Sequence, residues 1–135
     1  MNQVVTNFKP DPITKNRKYL GLVKQLPCCI CDAHGIEIPH GLIIPEGFTL
    51  ATPPSIAHHW IMGRVQQVKT PDIEAIPMCD GHHKQELWHS SLYTAMGVYG
   101  VHTHPAEFNR RYGLDRDYVA ATQDTIERAF GYRGE

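Results

Sequence analysis

No run in this chain approaches the 18 consecutive apolar residues that a membrane-spanning helix needs. The opening segment, MNQVVTNFKPDPITKNRK, is polar and lacks the apolar centre of a secretory signal. These two absences lead us to expect a cytoplasmic protein with no membrane partner, in a compartment where disulfides are uncommon. Cysteine is scarce, with four in 135 residues, and three of them crowd together as Cys28, Cys29 and Cys31. Neighbours that close make a poor disulfide framework, so metal binding is the better use for them. An excess of one charge is also missing. Lys and Arg number 13 against 14 Asp and Glu, a net charge of −1, which does not advertise a nucleic-acid partner. The average conceals a local bias: Lys9, Lys15, Arg17, Lys18 and Lys24 precede Cys28 against Asp11 alone. Bound divalent cations would add charge that the sum omits. Internal repeats and low-complexity tracts are absent too. A chain of this length buries roughly two thirds of its unfolded surface. One domain over residues 1–135 is therefore expected, with residues 1–11 as a candidate flexible arm.

What is present is punctuated by proline and glycine. DPITKNRKYLGLVKQLP predicts a helix over residues 11–27, with Asp11 as cap, Pro12 in the first turn and Pro27 as the stop. Residues 32–54 carry three glycines and four prolines and predict a loop with room for a short hairpin. SIAHHWIM and DIEAIPM are short and rich in β-formers, and predict two antiparallel strands joined by GRVQQVKTP. A helix is expected from near Gly81 to Gly97, and a short one in PAEFNRRYG ending at Gly113. A final amphipathic helix, capped by Asp115 or Asp117, should run to Gly131. The fold class expected is α+β.

The density of metal-binding side chains is unusual. Cys28 and Cys31 form CxxC; Cys79 and His82 form CxxH. Two such pairs on separate segments can close a tetrahedral zinc site, and thiolate-rich closed sites are structural. Cys29 is left over and reads as a small packed hydrophobe. His83 is left over as well, as is the pair His58 and His59. Neighbours on a strand point to opposite faces, so one of that pair could bind an ion while the other does something else.

The ordered set of CxxC, AHH, a glycine loop with KTPD, and IPMCDGHH resembles the HNH endonucleases, whose core is the ββα-metal fold. The resemblance is nearest to a phage branch that includes a nuclease dependent on a RecA-type recombinase, and FNRRYG resembles a later segment of that branch. It covers about residues 17–113 and implies there a ββα-metal core with a structural Zn2+, flanked by N-terminal and C-terminal helices. It implies cleavage of DNA phosphodiesters with Mg2+ or Mn2+, in a bacterial host cell, with a recombinase filament as a possible gate. His58 and His83 would hold the catalytic ion, and His59 would be the general base. Arg64 and Lys69 would touch phosphate, and Asp72 would brace the loop that orients His59.

The chemistry suits these roles independently. Water attacking a phosphodiester needs a base, and imidazole, with a pKa of ~6.5, serves near neutral pH. The charge that develops on phosphorus needs a cation. Relatives of this branch often carry a histidine one helical turn after the His83 position, where this chain has Leu87. Glu86, His89 or water then remain as the third ligand. His34, His40, His102 and His104 read as solvated loop residues, Trp60 and Trp88 as core, and Arg110 and Arg111 as a wet helix face. The alternative function is a zinc-stabilised module that binds DNA or docks on a recombinase without cutting.

Overall fold

The computed structural model describes residues 15–38, 55–63 and 69–133. His40, Arg64 and residues 39–54 of the loop expected over 32–54 lie outside these residues, and the first three residues of that loop belong instead to helix. The described chain is a small α+β domain with five α-helices and one two-stranded sheet, in the order α1 (Arg17–Val23), α2 (Cys29–His34), β1 (Ile56–His58), β2 (Ile76–Met78), α3 (Ser90–Ala95), α4 (Pro105–Tyr112) and α5 (Val119–Phe130). No helix among the described residues is long and apolar enough to cross a membrane.

The two strands are antiparallel, as their composition suggests, with Ile56 opposite Met78, Ala57 opposite Pro77 and His58 opposite Ile76. They are shorter than expected. β1 stops at His58, and Asp72–Glu74, assigned to the second strand, is instead a 3-10 turn. The helix expected over 11–27 begins only at Arg17, because Asn16 caps it by accepting the Tyr19 N–H. Asp11, the cap expected from the sequence, lies outside the described residues.

The largest departure follows the second strand. The helix expected from Gly81 does not form until Ser90. Buried Asp80 captures the chain first. Its carboxylate accepts the N–H groups of Glu86 (2.8 Å) and Leu87 (2.8 Å) and the Tyr93 hydroxyl (2.7 Å). Gln85 takes a left-handed conformation, with φ of 56°. An acid that bonds backbone amides ahead of it competes with helical hydrogen bonding. Residues 83–89 are consequently a looped connection, with a 3-10 turn at Asp80–His82 preceding it.

The main core joins Ile30 of α2, Ile76 and Met78 of β2, Tyr93 of α3, Val98, Val101 and Phe108 of α4. A smaller cluster of Tyr19, Val23 and Ile126 fastens α1 to α5, with Ala57 and Ile73 against it. Gly81 sits against two core side chains. A Cβ there would lie 2.9 Å from both Tyr93 Cε1 and Val98 Cγ1. Both neighbours are fully buried, so Gly81→Ala should overpack the core and cost on the order of 1–3 kcal/mol. A thermal melt should show a Tm lower by roughly 3–10 °C; an unchanged Tm would contradict this packing.

Candidate metal centres

Four side chains meet where α2 approaches the end of β2. Cys28 is the N-cap of α2, Cys31 lies in its first turn, and Cys79 and His82 flank the 3-10 turn after β2. Cys31 Sγ lies 3.8 Å from Cys79 Sγ. His82 Nδ1 lies 3.4 Å from Cys79 Sγ, 3.5 Å from Cys31 Sγ and 3.7 Å from Cys28 Sγ. A tetrahedral zinc ion with Zn–S of ~2.3 Å and Zn–N of ~2.0–2.1 Å requires edges of ~3.8 Å between sulfurs and ~3.6 Å between sulfur and nitrogen. The observed spacings match, so this Cys3His cluster could hold a metal ion such as zinc.

The protein alone is a poor host for three thiolates in this space. Thiol hydrogen bonds from Cys31 and Cys79 pull Cys28 well below the usual thiol range. The hydrogen bonds to Cys28, together with burial, push Cys31 far up and Cys79 up to about 12. Without a cation only one of the three ionises readily; a divalent ion would favour the thiolate at all three. Cys29 packs against the core, and burial raises its thiol well above the usual range, consistent with a small hydrophobe.

A second cluster joins His58, His83 and His102, whose ligand atoms all lie within 4.8 Å of one another. Their ring centroids are 5.0 Å apart for 58 and 83, 5.3 Å for 58 and 102, and 4.7 Å for 83 and 102. His58 and His83 are buried and His102 is exposed, so the cluster opens to solvent on one side. Burial, reinforced by charge on His58 and His102, pushes His83 down to about 3. His83 is thus a neutral imidazole across the physiological range, the form that binds metals. His58 Nε2 is 2.8 Å from Asp115 Oδ2.

His102 corrects the expectation that it is a solvated loop residue. Its position follows from backbone pairing: Val101 N–H donates to the His82 carbonyl and His102 N–H to the His83 carbonyl. Those bonds lay His102 beside His83. Glu86 and His89, the expected alternatives for a third ligand, are not in the cluster. Both are exposed, and His89 caps α3 by accepting the Ser91 N–H. The helical spacing that would have brought Glu86 close does not exist, because α3 starts after it.

His59 is not part of the cluster either. It follows the last residue of β1, and its Nε2 lies 2.7 Å from Asp72 Oδ1. The other Asp72 oxygen accepts the Asn16 N–H at 2.7 Å. Burial opposes ionisation of Asp72, but the Asn16 N–H, the His59 ring and the Lys69 ammonium outweigh it and hold the carboxyl below its usual range. An ionised Asp72 only accepts, so His59 donates to it through Nε2, and in the neutral ring Nδ1 is then the acceptor. Lys69 is exposed three residues before Asp72.

The remaining candidates have simpler roles. Glu107 pairs with Arg110 and Arg111 on exposed α4, as a wet face would, and Arg111 also covers the Tyr99 ring at 4.6 Å. Trp60 and Trp88 are half-buried, Trp60 donating to Glu74 at 2.9 Å. His34 is exposed; the His104 ring packs against Tyr99. Two residues of the sites carried no usable sequence signal. His102 is one imidazole in an HxH loop, and Asp115 reads as a helix cap. Comparison of the chain with protein-family models, with curated proteins and with solved structures returned no match, so the reading of these two centres rests on their own geometry.

Proposed function

We propose that this protein is a metal-dependent DNA endonuclease of the HNH kind. The observation that carries the reading is the division of labour between two adjacent histidines. His58 turns into a cluster of three imidazoles, while His59 is held by a carboxylate through Nε2 alone among the described residues. A hydrolase of phosphodiesters needs that pair of functions side by side: a seat for a cation and a base for water. On this reading β1, β2 and the segment through α3 make up the ββα-metal core, and the Cys3His cluster is a structural Zn2+ site.

His58, His83 and His102 would hold the catalytic ion. The ion supplies positive charge to the phosphate and the leaving oxygen. Three neutral imidazoles suit Mn2+ better than Mg2+, which prefers oxygen ligands. His59 takes the proton from the attacking water at Nδ1, and Asp72 fixes the ring and stabilises the imidazolium that results. Lys69 and Arg64 would contact phosphate.

His102→Ala is expected to weaken Mn2+ or Co2+ binding at this centre by more than the roughly 10–100-fold that loss of an outer-shell partner costs, with the occupancy of the Cys3His cluster unchanged. Isothermal titration measures this, and an unaltered affinity would remove His102 from the ligand set. The function itself is tested by incubating pure protein with supercoiled plasmid and Mn2+ or Mg2+, with and without a RecA-type recombinase filament. Nicking in either arm supports the nuclease. Salt-dependent DNA binding, or capture by the filament, with no cleavage under any divalent ion would favour the non-catalytic module instead.

A further inference from the structure

Asp115 is the most constrained acid in the described chain. Its side chain is fully buried, yet among the described residues no lysine or arginine forms an ion pair with it. Four N–H groups converge on its two oxygens. Oδ2 lies 2.8 Å from His58 Nε2 and 2.7 Å from the Ile61 amide. Oδ1 lies 3.2 Å from the Met62 amide and 2.9 Å from its neighbour's amide at Arg116. Only an ionised carboxylate offers two oxygens that accept and do not donate. A buried anion of this kind is costly unless donors and nearby positive charge offset it.

We infer that Asp115 is the positioning residue of the three-histidine centre. By accepting from Nε2 it holds His58 in the one tautomer whose Nδ1 is bare and can bind a cation. The ion, one imidazole away, would in turn supply the positive charge that the buried carboxylate lacks. The same carboxylate pins the chain at Ile61 and Met62, just beyond His59, so it fixes the exit of both histidines at once. Asp115 opens the 3-10 turn that leads into α5. The C-terminal helix is thereby part of the site's construction, although it contributes no ligand.

The inference rests on His58 as an ion ligand, as in the reading above, but not on cleavage. The test uses full-length protein with 15N-labelled histidine. Long-range 1H–15N spectra report which nitrogen of His58 carries the proton, and a Zn2+ titration reports the affinity of the centre beyond the first, thiolate-bound equivalent. The wild type should show His58 protonated on Nε2. In Asp115→Asn an amide NH2 must face N–H donors whichever way the side chain turns. The fixed tautomer should be lost there and the second-equivalent affinity should fall roughly 10–100-fold. A loss of stability alone would leave the tautomer unmoved. If the variant does not fold, the wild-type spectrum decides by itself, since His58 protonated on Nδ1 overturns the inference. An Asp115→Asn protein with unchanged tautomer and unchanged affinity overturns it equally. A protein that shows both effects but never cuts DNA upholds the role of Asp115 and defeats only the nuclease assignment.

Discussion

His59→Ala is expected to lower divalent-ion-dependent plasmid nicking by about 10²–10⁴-fold, the usual worth of a positioned general base. The expectation follows from what surrounds the ring. His59 is 18% exposed, so water can reach it, and Asp72 immobilises it through Nε2 at 2.7 Å. That bond leaves Nδ1 as the proton acceptor. The side chain has no ring contact with the cluster of His58, His83 and His102, so its removal should spare ion binding there. Zinc content, Mn2+ affinity and Tm should therefore stay close to wild type while the rate collapses. Equal nicking by wild type and His59→Ala would take the base away from His59.

If the Cys3His cluster binds the structural zinc proposed for it, removing that ion should have the largest effect on the fold. Structural zinc in small domains contributes an apparent ~10–16 kcal/mol, comparable to the ~5–15 kcal/mol that a whole domain commonly has. This cluster ties α2 to the end of β2, and residues of both belong to the main core. With no ion, three thiols and an imidazole would be packed together with little else to hold them. The buried His82 Nε2 already has no hydrogen-bond partner among the described residues. A strong chelator, or Cys79→Ala, should abolish the cooperative thermal transition and most of the far-UV helical signal. Returning Zn2+ should restore both in the chelated wild type. A protein stripped of zinc that still melts cooperatively at the original Tm would refute a structural role for this site.

Acid should act in the same direction. Each ligand must shed its proton to bind the ion, so falling pH favours release. His83 is the exception at the other centre, since burial keeps it neutral down to about pH 3.

Local chemistry was legible in the chain wherever the relevant partners were near in sequence or came in patterned pairs. CxxC and CxxH announced the Cys3His cluster, because each pair places two ligands on one turn. The antiparallel strands, the α4 stop at Gly113 and the α5 stop at Gly131 were readable from β-formers and left-handed glycines. Helix propensity failed after Gly81 because a single buried acid, Asp80, outcompeted the helix for backbone amides.

By itself, then, the sequence determined the pairing of CxxC with CxxH into one Cys3His set and the small α+β character of the domain. Only the tertiary structure decided that His102, not Glu86 or His89, joins His58 and His83, and that Asp115 holds His58 from the 3-10 turn before the last helix. The physical reason is range. Spacing rules act over one turn or one strand, whereas His102 is placed by backbone pairing with His82 and His83, and Asp115 by the packing of a distant helix. Buried polar contacts of that sort are set by the whole fold, because each donor must find its acceptor wherever the chain has put it.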